Sequence, residues 1–580
     1  MGPYWMQPTP TDNLRLPLKR GEFDTLCEAM DYAANGETGL NVFSSKGELL
    51  QSASYAELRE QALEHAARLA ALGVQPGEAV LLLADTNLEF FVGFMGAAYA
   101  GALPVPAPIP VIFGEQDEYV EGLRRRIQGA RASVALCPDA LTPLLQEAAA
   151  GLELRFCGSN RSFAGLPKGP TPRYQAAAGD LAYLQFSSGS TRHPKGVEIT
   201  QAALMNNARL IAEAGLQRRS GDRCTSWLPM YHDMGLVGFF LVPLVTQLSV
   251  DYLTTRDFAR RPMTWLTLIS RYGGSLAYSP TFGYELCARH AARGAGMEGL
   301  DLSRWRAAGI GGDMVRPQVL ADFAQRFAAA GFRREAFVPS YGLAEATLAV
   351  CFAELDRGPT VVRLSRAALD AGEVRYEASP DPELGRDFVG CGMVLPEHTL
   401  ELRSEDGATA PPDKIGRVFV KGPSLMRGYA HDPEETAQAL KPGGWLDTGD
   451  LGFLHDGELI ITGRAKDLIL INGRNVWPQD IEWAVEALPA LRRGDAAAFS
   501  IDTGAGEQVV VLVQCRGSEE DRRAALRLEI EALLRRMGFQ DPVVELVPPG
   551  SLPQTSSGKL SRAKAKQNFV AQRARAQEGA

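Results

Sequence analysis

From about Tyr55 onward the apolar positions recur in two alternating rhythms. Residues 55–72 repeat apolar side chains at helical spacing and stop before Gly73. Residues 79–84 form a short unbroken apolar run that reads as a buried strand, and residues 87–100 return to the helical period. Residues 134–137 and 181–186 are further short strands, separated by helix-like stretches. This alternation predicts an α/β fold with a largely parallel sheet covered by helices on both faces. The run Pro104-Val-Pro-Ala-Pro-Ile-Pro110 is incompatible with a central strand or a helix and reads as a stiff connection.

Between 351 and 390 the pattern breaks up under Pro, Gly and charge, with no strong strand, and predicts an inserted loop or arm. Beyond it, residues 399–403, 416–421 and 458–462 read as strands of a smaller antiparallel unit. The tail from about Asp467 carries its own strand and helix content at 481–488, 496–500, 508–514 and 518–537, enough for a separate small α+β domain. The expected organisation is a large domain over 1–465, containing the 351–390 insertion, and a small domain over 466–580.

At 580 residues, with 45% hydrophobic and 22% charged content, the chain has ample material for sizeable cores. The net charge of −9 argues against nucleic acid as the main partner. Eight cysteines are scattered with no C-x-x-C pair, so zinc and redox motifs are excluded and reduced thiols in a cytoplasmic protein are expected. The amino terminus has no basic start or apolar core, and the longest apolar stretch, 236–245, is short for a bilayer span and contains Pro243. A soluble protein, not an integral membrane one, is expected.

Candidate chemistry is concentrated in a few segments. Four hydroxyls (Ser187, Ser188, Ser190, Thr191), Gly189, Gly196 and Lys195 follow the strand at 181–186; hydroxyls, bare backbone N–H groups and a cation suit an anion with several oxygens, although such a turn can also be plain surface loop. The G-x-x-x-x-G-K-[ST] phosphate loop is absent, so this is a different cradle. In Tyr341-Gly342-Leu-Ala-Glu345-Ala an aromatic ring can stack on a purine and a carboxylate can hold Mg²⁺, or the segment is a strand-to-helix turn with a core tyrosine. Asp450 offers two acceptor oxygens for ribose hydroxyls and Arg464 a guanidinium for sugar or phosphate; alone, both read as turn residues. His232–Asp233 lies in the apolar stretch Trp227-Leu-Pro-Met230-Tyr-His-Asp-Met-Gly235 and must be either satisfied locally or functional. Lys559, on the turn Thr555-Ser-Ser-Gly-Lys559, can meet an anion or merely be solvated.

In this order, these segments resemble the adenylate-forming superfamily of acyl-CoA synthetases, luciferases and peptide-synthetase adenylation domains. The resemblance implies a large amino-terminal domain of α/β subdomains plus a small antiparallel β unit, followed by a mobile α+β carboxyl-terminal domain. It implies ATP and Mg²⁺ as cofactors: Ser187–Thr191 and Lys195 match the phosphate loop, Gly311, Gly312 and Asp313 the loop beside the adenine, Tyr341 and Gly342 the adenine-stacking segment, Glu345 the Mg²⁺ carboxylate, Asp450 and Arg464 the ribose pair, Lys466 the hinge, and Lys559 the catalytic lysine. Three details are similar to the fatty acyl-AMP ligases: Ala344 within Tyr341–Thr347, the Trp227–Gly235 string, and the insertion. That subgroup implies a fatty acid substrate, with Trp227, Met230, Asp233 and Tyr278 near it, His232 orienting its carboxylate, and an acyl carrier protein as acceptor. An acyl-CoA synthetase is the main alternative; a non-catalytic acyl- or nucleotide-binding protein is a further one. The basic tail Arg562 to Arg575 reads as a solvated helix or a carrier-protein contact.

Overall fold

The computed structural model describes residues 7–13, 16–110, 116–172, 174–187, 194–294, 296–471, 474–503, 507–517, 519–554 and 560–578. Its centre is a nine-stranded mixed sheet in the order Met393–Val394, Ala349–Phe352, Phe337–Gly342, Ala307–Ile310, Leu276–Ser279, Cys224–Ser226, Val250–Leu253, Gly39–Phe43, Leu49–Ser54. The inner pairs are parallel and the pairs at both edges antiparallel. A second, all-parallel sheet is ordered Leu103–Ala107, Ala79–Leu83, Ala132–Cys137, Phe156–Ser159. Ala79–Leu83 (AVLLL) is buried at every position, as expected of a parallel strand covered on both faces. The helix Tyr55–Ala71 starts at a reciprocal Ser54/Glu57 capping box, and Leu88–Tyr99 at Asn87.

Three expectations are corrected. The proline-rich run is not a linker: Leu103–Ala107 is a strand, tolerated because it lies at the sheet edge. The strand Leu181–Ser187 does not join a parallel sheet but pairs antiparallel with Lys195–Thr200, which in turn pairs with Gly428–Tyr429. The 351–390 segment is no irregular arm. Val361–Ser365 and Gly385–Val389 form an antiparallel pair, with the short helix Arg366–Asp370 between them. Val362, Leu364, Leu369 and Phe388 pack onto Phe453 and Ile460 of the neighbouring antiparallel sheet.

That sheet contains Thr399–Arg403, Gly416–Lys421, Trp445–His455 and Glu458–Arg464. In the carboxyl-terminal region, Ala496–Asp502, Glu507–Gln514 and Val543–Val547 form a three-stranded sheet with two distinct apolar faces. Ala496, Ala498, Val509 and Val511 pack against the helices Pro478–Glu486 and Glu520–Arg536; Ala497, Phe499, Val510 and Leu512 pack against Arg562–Glu578. The alternation follows from the two-residue period of a strand. Among the described residues no helix is long and apolar enough to cross a membrane. All eight cysteines are free thiols.

Candidate active site

A cavity of about 800 Å³ opens at the carboxyl ends of the central parallel strands and is bounded on its far side by the carboxyl-terminal region. Open α/β sheets place ligands there, where the loops leaving the strands converge. Its wall includes Lys195, His232, Asp233, Tyr278, Gly311, Gly312, Asp313, Tyr341, Gly342, Glu345, Asp450, Arg464 and Lys466, so residues far apart in the chain meet around one space.

Local geometry explains the residue types. A Cβ at Gly342 would fall 1.8 Å from the Leu348 carbonyl oxygen, so only glycine lets the chain fold back into the Ala344–Ala346 turn that presents Glu345. That turn ends at Thr347, which is buried, holds a φ of 67° and donates from Oγ1 to the Ser424 carbonyl at 2.7 Å. A β-branched residue in this region of backbone space is strained and persists only where the surroundings hold it. Gly235 is similarly constrained: a Cβ there would lie 2.2 Å from the Pro229 carbonyl oxygen.

Asp450 and Arg464 face each other across paired strands, Arg464 Nε lying 3.2 Å from Asp450 Oδ1. The other carboxylate oxygen of Asp450 accepts from the Tyr341 hydroxyl at 2.6 Å. Burial and the adjacent Asp450 push the Tyr341 phenol well above its ordinary pKa. Burial, with Arg464 beside it, lowers the Lys466 ammonium. Glu345 Oε1 accepts from the Tyr429 hydroxyl at 2.8 Å, and Lys195 is ion-paired with Glu435. His232 Nδ1 lies 2.6 Å from Asp233 Oδ1 at the start of the short helix Asp233–Leu236, which fixes the imidazole on the cavity wall.

Part of the cavity wall is apolar. Ile211, Leu216, Phe239, Val242, Leu276 and Phe352 form it between the central sheet and the helices behind. Two wall segments, Ile211–Gly215 and Val237–Leu241, are π-helical turns, a feature that recurs at functional sites because it re-aims side chains. Tyr278 lies flat over Gly309, where a Cβ would be 2.0 Å from its ring, and its hydroxyl lies 3.3 Å from Ser340 Oγ.

Several expectations change at this level. Trp227 and Met230 are not on the cavity wall: both are buried core, Trp227 stacked on Phe258 at 3.9 Å between centroids. Ser188, Gly189, Ser190, Thr191 and Lys559 lie outside the described residues, as does the side chain of Ser187, whose backbone pairs with Lys195. The basic tail is not uniformly solvated. Arg562 is held by Glu482 at 2.7 and 2.6 Å and reaches Asp467 at 3.4 Å, and Lys564 pairs with Glu118. Tyr429, Glu435, Glu482 and the π-turn Ile211–Gly215 were not singled out from sequence. Tyr429 and Glu435 had only one faint signal, the helix-capping pattern from Asp432 to Glu435.

The carboxyl-terminal region is gripped by the corrected 361–389 hairpin. Buried Arg386 donates to Asp480 at 2.9 Å, and the Trp483 ring has the guanidinium carbons of Arg386 at 5.3 Å and Arg316 at 4.7 Å. Arg316 also approaches Glu486 at 3.5 Å.

Among the described residues no cluster of three or more His, Cys, Asp or Glu could hold a metal by itself. One cavity carboxylate, Glu345, nevertheless fits Mg²⁺, which commonly takes one or two protein carboxylates and completes its shell with substrate phosphates and water.

An α/β body of this topology, with an Asp–Arg pair and a strand-end Tyr-Gly on one cavity and an opposed small α+β unit, defines an adenylate-forming enzyme fold. The chain belongs to the AMP-binding enzyme family, whose model matches residues 36–430; residues 466–579 match the AMP domain of Disco-interacting protein 2-like proteins. A Caulobacter vibrioides protein provisionally assigned as an acyl-CoA synthetase is 47% identical, covering 97% of this chain and 98% of its own. The medium-chain-fatty-acid–acyl-carrier-protein ligase JamA of Moorena producens is 34% identical over 95% and 96%. A structure from work on fatty acyl-adenylate ligases of E. coli and L. pneumophila superposes with a TM-score of 0.92 at 41% identity, covering 96% of this chain and all of that one.

Proposed function

We propose that the protein is a fatty acyl-AMP ligase that activates a fatty acid with ATP and passes the acyl group to the phosphopantetheine thiol of an acyl carrier protein. The observation that carries this reading is that one cavity is lined both by apolar side chains such as Ile211, Phe239 and Val242 and by Tyr341, Asp450, Arg464 and Glu345. About ten buried methylenes contribute roughly 8 kcal/mol before binding costs, so an apolar wall selects by chain burial.

In the first step a carboxylate oxygen of the fatty acid attacks the α-phosphorus of ATP. The bond from that phosphorus to its bridging oxygen breaks, and pyrophosphate leaves with the electron pair. No base is required, because the acid is already ionised. The residues position and stabilise: Asp450 and Arg464 take the ribose, Tyr341 the adenine, Lys195 and the hydroxyl-rich segment Ser187–Thr191 the phosphates, and His232, braced by Asp233, the carboxylate. Lys559 stabilises charge on the phosphoryl oxygens. Bound through Glu345, Mg²⁺ supplies charge neutralisation for the polyphosphate. In the second step the thiolate attacks the acyl carbonyl carbon and AMP leaves. Rotation of a unit over 466–580 about Lys466 exchanges the two arrangements.

The grip of the 361–389 hairpin on Asp480 and Trp483 supports the ligase reading, since it restrains that rotation and disfavours free CoA as acceptor. The similarity to the Caulobacter protein favours a second reading, acyl-CoA synthesis. Incubation with ATP, Mg²⁺ and fatty acids of graded length, offering CoA or a phosphopantetheinylated carrier protein, separates the two. Acyl-AMP that persists with CoA and is consumed by the carrier is the expected result; efficient acyl-CoA formation overturns it.

A further inference from the structure

Lys195 is already engaged by the protein itself. Its ammonium is ion-paired with Glu435 and lies 5.1 Å from the centre of the Tyr429 ring. Backbone structure delivers that carboxylate to the lysine. The strand Gly428–Tyr429 is hydrogen-bonded to Lys195–Thr200, with Tyr429 opposite Val197 and the Ala430 N–H donating to the Gly196 carbonyl at 2.7 Å. The chain then turns into the helix Pro433–Ala439, where Asp432 Oδ1 accepts from the Glu435 N–H at 3.0 Å and Thr436 Oγ1 accepts from the Tyr429 N–H at 2.9 Å. Glu435 therefore belongs to the same small sheet-and-helix unit as the lysine it contacts.

Two other carboxylates around this end of the cavity have internal partners of this kind. Asp450 is shared by Arg464 and Tyr341, and Glu345 is bonded by Tyr429. A polyphosphate entering beside Lys195 must compete with a carboxylate for one ammonium. The Glu435 side chain retains 33% of its exposure and Lys195 only 20%, so the carboxylate can swing into water while the lysine stays against the Tyr429 ring.

We infer that Glu435 is an internal stand-in for phosphate: it holds Lys195 in place in the absence of nucleotide, is displaced by the phosphates of ATP, and returns to the lysine as pyrophosphate departs. The inference rests on the reading of Lys195 as a phosphate-binding residue. Its role is that of a positioning group that weakens ATP and pyrophosphate together.

The test is direct binding of ATP and of pyrophosphate, each measured by calorimetry with Mg²⁺ and without fatty acid. Removing one competing, partly exposed carboxylate is expected to tighten both ligands roughly three- to fivefold in Glu435→Gln. Glu434→Gln, an exposed neighbour, should move neither. In a Lys195→Gln background, Glu435→Gln should have no further effect, because the competition has lost its object. Unchanged or weaker binding by Glu435→Gln, with Lys195→Gln weakening ATP, overturns the stand-in role and leaves the reading of Lys195 intact. An unchanged ATP affinity in Lys195→Gln alone overturns both.

Discussion

On the apolar wall of the cavity, Ile211, Phe239 and Val242 belong to a core that extends far behind it, whereas in the charged centre Asp450, Arg464, Glu345 and Lys195 are each held by one or two named partners. The first arrangement is redundant. A lost methyl group is felt by many neighbours and costs in proportion to the space left behind. The second has no redundancy: removing one partner leaves a desolvated charge or donor unpaired, which costs more than the bond was worth. Substrate selection and chemistry are thus exposed to mutation in different ways within one cavity.

The sharpest separation is expected from Lys559→Ala. Acyl-AMP formation should slow by roughly a hundred- to a thousandfold while calorimetric ATP affinity changes little. An equal loss of ATP affinity would make the lysine a binding group.

The next effect concerns Glu486, whose carboxyl is raised by burial, against the pull of Arg316, from the ordinary 4.5 to about 7. Between those values the folded protein retains a proton that the unfolded chain has released. The stabilisation is complete below about pH 4.5 and is lost as pH rises through about 7, by at most roughly 3 kcal/mol. Glu486→Gln should flatten the pH dependence of the unfolding midpoint between pH 5 and 8; an unaltered profile would show that the carboxyl is ionised throughout.

Asp450→Asn removes the charge facing Arg464 and weakens the acceptor for Tyr341. ATP binding should fall roughly ten- to a hundredfold, the range for hydrogen bonds involving charged groups, with fatty acid preference unaltered. A shift in chain-length preference would mean that the two parts of the cavity are coupled.

The smallest effect is expected from Val242→Phe, which narrows the cavity at its apolar wall. Each methylene denied burial costs about 0.8 kcal/mol, or roughly fourfold in kcat/KM, so the optimum should move to shorter acids at constant ATP affinity. An unchanged optimum would place the acyl chain elsewhere.

The same contrast governs how much could be read from the chain. Point chemistry demands particular residue types, so Tyr341, Glu345, Asp450 and Arg464 stand out as motifs, and all four meet in the cavity. A wall made of core does not: Ile211 and Leu216 look like any buried core residue, and Trp227 and Met230, which stand beside the histidine in sequence, point into packing instead. Glu435 was hidden for another reason, since its partner lies 240 residues away and no local pattern reports a long-range ion pair. The strands Val361–Ser365 and Gly385–Val389 escaped because each is short and mixed in polarity, and becomes a strand by pairing with the other. The parallel sheet was legible where strands are apolar throughout, as in Ala79–Leu83, and illegible at its edge, where prolines obscured Leu103–Ala107.

Those prolines have a mechanical consequence. In Leu103–Ala107 the backbone N–H groups on one side face the partner Ala79–Leu83, and the alternate positions on the outer side are Pro104 and Pro106, which have no N–H to offer. The strand Leu181–Ser187 runs alongside, its Leu184 and Phe186 packed into the same apolar cluster, yet it belongs to a different sheet. The boundary between the two sheets is therefore a greased joint without rungs. Strand exchange between copies of the chain is denied its donors along that edge.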